Sequence, residues 1–229
     1  MDQLPISQQL RILCFGDSNT WGADPATGDR FPPEVRWPGV MASRLGKYAT
    51  VIEEGLRGRT TVIDDPLMAG RSGLDAIGPC VLSHQPLDFL MIMLGTNDAK
   101  YRFNSSASEI AEGLSELVTR VGTLPTASPA DRTFPIMLVA PPRAGDLAPR
   151  FAEEFEGAAE KLSKLAGFVS SIAARHHCLF FDGSEVIDMN GSDGIHFVAG
   201  AHHALGSHLA NAIQRSGLME PSAISRDRR

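Results

Sequence analysis

With 229 residues, 43% of them hydrophobic and 21% charged, the chain has the size and make-up of one globular domain and not of a disordered segment. A net charge of −6 without clustered Lys and Arg argues against a nucleic-acid partner, and no stretch reaches the ~18 apolar residues that a membrane span needs.

Five short apolar runs, residues 11–15, 49–53, 87–94, 134–140 and 178–181, predict strands. The third and fourth are nearly continuous in apolar residues, as strands covered on both faces should be. Helical patterns lie between and after them. Residues 108–121 place Ile110, Leu114, Leu117 and Val121 on one face and Glu109, Glu112 and Glu116 on the other. A second helix is expected over 151–176 with Phe155, Leu162, Leu165, Val169 and Ile172 inward. A third spans about 199–215, stopped by Ser216-Gly217 and followed by a tail, 217–229, expected to fray. Strand-then-helix units without a visible domain boundary imply one α/β domain over 1–229, a three-layer α/β/α sandwich on a five-stranded parallel sheet.

The cysteines, Cys14, Cys80 and Cys178, are odd in number and lack metal-ligand spacing, so they read as buried thiols in a reducing compartment. Residues 1–5 carry no basic segment leading into a long apolar one, and the expected location is the cytoplasm.

In open parallel sheets, ligands bind beyond the carboxyl ends of the strands, and the polar motifs fall there. Gly16-Asp17-Ser18-Asn19 follows the first run, Gly55-Leu56-Arg57-Gly58 the second and Gly95-Thr96-Asn97-Asp98 the third. Asp193-Gly194-Ile195-His196 follows the fifth by way of a loop. The segment Pro141 to Asp146 after the fourth run is expected to wall the same cleft. A serine hydroxyl is a weak nucleophile until a base takes its proton and donors hold the developing oxyanion. Ser18, His196 and Asp193 could supply the first requirement. Asp17 beside the nucleophile reads as structural. Phe31 and Trp37 lie in a Pro-rich segment, 23–38, with Trp21 just before it, and these residues could wall the cleft, form an oligomer contact or simply pack. His84, His176, His177, His202, His203 and His208 read as surface or helix-packing residues.

The four blocks in this order resemble the SGNH hydrolases, or GDSL esterases, and longer stretches resemble the branch of bacterial arylesterases and acyltransferases. Those stretches are residues 11–18, 35–37, 51–56, 63–66 and 92–98. A perhydrolase and carbohydrate acetylesterases are found among such proteins. The resemblance implies a flavodoxin-like SGNH fold and a cofactor-independent esterase for small acyl esters. In that enzyme Ser18 attacks, His196 is the base and Asp193 orients it, while the Ser18 and Gly58 N–H groups and the Asn97 amide hold the oxyanion. Asn19, Trp21 and Ile195 would line the substrate pocket. Asn19 stands where the branch often has leucine, and Gly58 where some members have alanine. A homo-oligomer, with an octamer as one form, is a further implication, and no metal is required.

Two other classes compete. Asp17, Asp98, Asp193 and His196 gathered around a metal would make a phosphoesterase. A nucleotide-binding module is disfavoured, since the loop after the first run matches neither G-x-x-x-x-G-K-[ST] nor G-x-G-x-x-G.

Overall fold

The computed structural model describes residues 9–125 and 134–216. Residues 1–5 and the tail expected to fray lie outside the described residues. Five strands, β1 (Leu10–Gly16), β2 (Ala49–Gly55), β3 (Phe89–Met93), β4 (Ile136–Ala140) and β5 (Leu179–Asp182), form one parallel sheet in the order β2-β1-β3-β4-β5. That is the flavodoxin-like order, with its switch point between β1 and β3. All five strands expected from the sequence are present, and the third is trimmed to its apolar centre.

The sheet is sandwiched because its central strands are apolar on both faces. On β1, Leu13 and Phe15 point to one side, where α3 (Gly73–His84), α4 (Ala107–Gly122) and α5 (Ala158–Arg175) cover them. Leu10, Ile12 and Cys14 point to the other, where α2 (Trp37–Leu45) and α6 (Ala199–Arg215) lie. β3 divides in the same way, Leu90 and Ile92 against Phe89, Met91 and Met93, the two-residue period of a strand serving two cores.

The helices show where periodicity falls short. α4 follows its expected bounds closely because Ser106 and Glu109 make a capping box: Ser106 Oγ accepts from Glu109 N–H at 3.2 Å, and Glu109 Oε2 accepts from Ser106 N–H at 2.7 Å. α5 begins only at Ala158, not at residue 151. Gly157 takes the left-handed conformation (φ 75°), and turns precede it, so the expected bound is corrected. Two helices fall where none was expected. α2 starts at the end of the Pro-rich segment with Pro38 in its first turn, a position where the missing N–H is not needed. α3 is capped by Ser72, whose Oγ accepts from Asp75 N–H, and carries Pro79 within it. Among the described residues no helix is long and apolar enough to cross a membrane.

Candidate active site

β1 ends at Gly16, and the chain turns at once into a four-residue helix, α1 (Ser18–Trp21). Asp17 caps it by accepting from Asn19 N–H at 2.9 Å. Ser18 is therefore the first helical residue, where an N–H has no acceptor within the helix. Its side chain and its N–H are offered at the carboxyl edge of the sheet.

The turn after β2 is tied to the same edge. Leu56 N–H and Arg59 Nη1 both donate to Gly16 O, at 3.1 and 2.9 Å. Gly58 sits in that turn with φ 78°, a left-handed conformation in which a Cβ would be strained whatever the space around it. Asn97 opens a 3-10 turn after β3, and its Nδ2 donates to Arg59 O at 3.0 Å. An amide nitrogen carries two hydrogens, so one anchors Asn97 beside the Gly58 turn and one remains to donate. Asp98 secures that turn from beneath, accepting from Thr61 N–H at 2.9 Å and from the Thr61 hydroxyl.

His196 arrives from a loop between β5 and α6. Its Nε2 is 3.1 Å from Ser18 Oγ, and its Nδ1 is 2.9 Å from Asp193 Oδ2. A carboxylate only accepts, so Nδ1 carries the hydrogen and Nε2 is left to accept from the serine hydroxyl. Asp193 Oδ1 accepts from the Ile195 and His196 N–H groups at 3.1 and 2.8 Å. Burial pushes its carboxyl up, but hydrogen bonds from the His196 side chain and backbone outweigh this and hold it well below the ordinary carboxylate range. The segment after β4 braces the loop: Gly145 N–H donates to Gly194 O and Ala148 N–H to Asp193 O, both at 3.0 Å. The Phe151 ring lies 5.6 Å from the imidazole, centre to centre.

The structure therefore brings Ser18, Asp193 and His196 together, and the hydrogen bonds linking Gly16, Arg59 and Asn97 carry Gly58 and Asn97 to the same edge. Asn19 is a correction. Its amide is buried, with Nδ2 donating to Ile195 O at 3.1 Å and Oδ1 accepting from Phe197 N–H at 3.0 Å. Both polar ends are spent on the backbone that flanks His196, so it is a brace and not a pocket residue. Ile195 is also corrected, because its side chain is buried in the same core as Leu13 and Phe15. Trp21 stands at the surface between the guanidinium groups of Arg30 and Arg57, each 5.3 Å from its ring. Trp37 belongs to the buried core on α2, and Phe31 packs edge-on against the buried His202 ring. Burial drives His202 down to about 3, so it stays neutral beside Phe31 and Phe197.

The gathering of Asp17, Asp98, Asp193 and His196 that a metal would require is not found. Asp17 caps α1 and Asp98 is engaged with Thr61, and among the described residues no three His, Cys, Asp or Glu are grouped as a metal site. One residue at the site escaped the sequence altogether. Arg150 Nη2 donates to Asp193 Oδ2 at 2.7 Å from 43 residues away, and nothing in its local sequence marks it.

Solved structures resemble this arrangement over nearly the whole chain. An aryl esterase of M. smegmatis is 42% identical, with a TM-score of 0.85 and coverage of 90% of this chain and 99% of that one. A carbohydrate acetylesterase from Sinorhizobium meliloti is 38% identical, with a TM-score of 0.84 and coverage of 91% and 100%. A lipolytic G-D-S-L protein from Veillonella parvula, 14% identical over 90% and 99% with a TM-score of 0.64, shares the fold. No match is found among curated proteins. Residues 14–204 match the model of the GDSL-like lipase/acylhydrolase family, and they hold every residue of the site just described, so the chain belongs to that family.

Proposed function

We propose that this enzyme is a serine esterase for short acyl esters, acetyl esters above all, of aryl alcohols or carbohydrates, acting through an acyl-enzyme. The observation that carries the proposal is the line of contacts from Ser18 Oγ through the imidazole to Asp193, at 3.1 and 2.9 Å. In the first half-reaction the Ser18 Oγ–acyl carbon bond forms while the hydroxyl proton passes to His196 Nε2. The bond to the alkoxy oxygen then breaks, and the imidazolium returns that proton to the departing alcohol. Water repeats the attack with His196 as base and releases the acid. The Ser18 and Gly58 N–H groups and the free hydrogen of Asn97 would hold the negative oxygen in both halves. Where water is kept out, an alcohol or hydrogen peroxide would take the acyl group instead.

The aryl and sugar leaving groups come from the named activities of the M. smegmatis and S. meliloti relatives. Trp21, at the end of the short helix that begins with Ser18, is the proposed contact for that part of the ester. Self-association belongs to the same reading, with an octamer as one form, and exposed Leu67 and Tyr101 offer apolar contact area. The three unpaired thiols fit a cytoplasmic location.

The test is hydrolysis of p-nitrophenyl acetate and longer-chain esters by the wild type and the Ser18→Ala variant. A loss of about 10³-fold or more on acetate is expected, together with a preference for the shorter chain in the wild type. Equal rates for the two proteins would remove Ser18 from the reaction.

A further inference from the structure

Asp193 Oδ2 accepts from two donors, one of them a cation. It accepts from His196 Nδ1 at 2.9 Å and from Arg150 Nη2 at 2.7 Å. The same Nη2 also donates to Pro25 O at 2.6 Å, so one guanidinium bridges the Asp193 turn and the loop that follows α1. We propose that Arg150 is a positioning residue of this enzyme, a cationic cap that holds the outer side of Asp193 and keeps the carboxylate aimed while tethering the Pro25 loop beside it. The inference rests on the esterase reading above.

Ion pairs at a surface usually contribute little, because water screens both partners. Here the screening is one-sided. The Arg150 side chain is 54% exposed, whereas that of Asp193 is only 4% exposed. A cavity of about 420 Å³ opens on this side, lined by Asp193, Arg150, Pro25, Phe31 and Val198 among others, and Ser18 is not among its lining residues. Arg150 and Asp193 therefore line this cavity together. Its ring neighbour is Phe151, 5.0 Å from the guanidinium carbon, and Phe151 in turn faces His196. The guanidinium is thus held by a carboxylate, a carbonyl and an aromatic face.

The charge has a directional consequence. A fixed cation on Asp193 repels a second positive charge arriving on the neighbouring imidazole, so the charge at residue 150 bears on proton transfer at the base. The other ionisable groups that face His196 are Asp17 from the end of β1, Asp193 from its own loop and His202 from α6. Arg150 variants leave all three in place, so a difference between profiles isolates the guanidinium.

The experiment is the pH dependence of kcat/KM for p-nitrophenyl acetate in the wild type and in Arg150→Ala, Arg150→Gln and Arg150→Lys. Removing the charge in the Ala and Gln variants should move the acidic limb upward by about half a pH unit, and the Lys variant should keep it near the wild-type position. Gln can still donate to Asp193, so its plateau rate should exceed that of Ala. Acidic limbs that superimpose in all four proteins, even with lower plateaus, would overturn the proposal and leave Arg150 a merely structural contact. Because Arg150 is more than half exposed, the variants are expected to fold, and thermal melting checks that they do. Activity surviving in Ser18→Ala would instead overturn the esterase reading, so the two failures are distinguishable.

Discussion

Asn19 shows how a polar residue beside a nucleophile can serve the base instead of the substrate. It is nearly inaccessible, and it bonds the carbonyl before His196 and the N–H after it. Truncation in Asn19→Ala leaves both backbone groups buried without partners, each at about 1–3 kcal/mol. The expected outcome is a clear fall in melting temperature and a larger fall in kcat than in KM, because the imidazole loses its aim. Unchanged melting and kcat would show that the brace is dispensable. The local sequence could place Asn19 near the site, but it could not say which way the amide faces. That direction depends on a loop 176 residues away. Arg150 was illegible for the same reason, whereas Ser18, Asp193 and His196 stood out because their chemistry leaves a pattern in the chain.

Strands were more legible than helices because a buried parallel strand leaves an uninterrupted apolar run, which β3 and β4 both do. α2 was hidden by Pro38 and the Pro-rich segment before it, and its place is decided by what packs on it. α2 and α6 lie together on one face of the sheet, and a Cβ at Gly206 would sit 2.4 Å from Trp37 O and 2.8 Å from Val40 Cβ. The close approach of the two helices therefore requires glycine there. Gly206→Ala should destabilise the fold by about 1–3 kcal/mol, the usual penalty of overpacking, which urea denaturation would measure. A midpoint equal to that of the wild type would mean that the helices can separate freely.

Across the whole molecule, the buried carboxyls make stability depend on pH in two opposing directions. Burial lifts Asp17 and Asp98 to about 6 from an ordinary value of 3.8, and Asp98 Oδ2 has no hydrogen-bond partner. A carboxyl raised in the folded state contributes stability that is fully present below its unfolded value and is lost as pH rises through the folded one. Asp193, lowered on folding, works the other way: its contribution is present above the unfolded value and is lost in strong acid. Comparing the wild type with Asp98→Asn from pH 4 to pH 7 isolates one group. Relative to the variant, the wild type should lose up to about 3 kcal/mol over that interval, mostly between pH 4 and 6, and a constant difference in melting temperature would contradict it. By itself the sequence determined the five strands, their burial on two faces and the four blocks that carry the chemistry, because apolar runs and local spacing are properties of neighbouring residues. Only the tertiary structure decided that Asn19 turns inward, that Arg150 reaches Asp193 and that two buried carboxyls share one end of the sheet. Those are contacts between segments far apart in the chain, fixed by which surfaces the fold presses together.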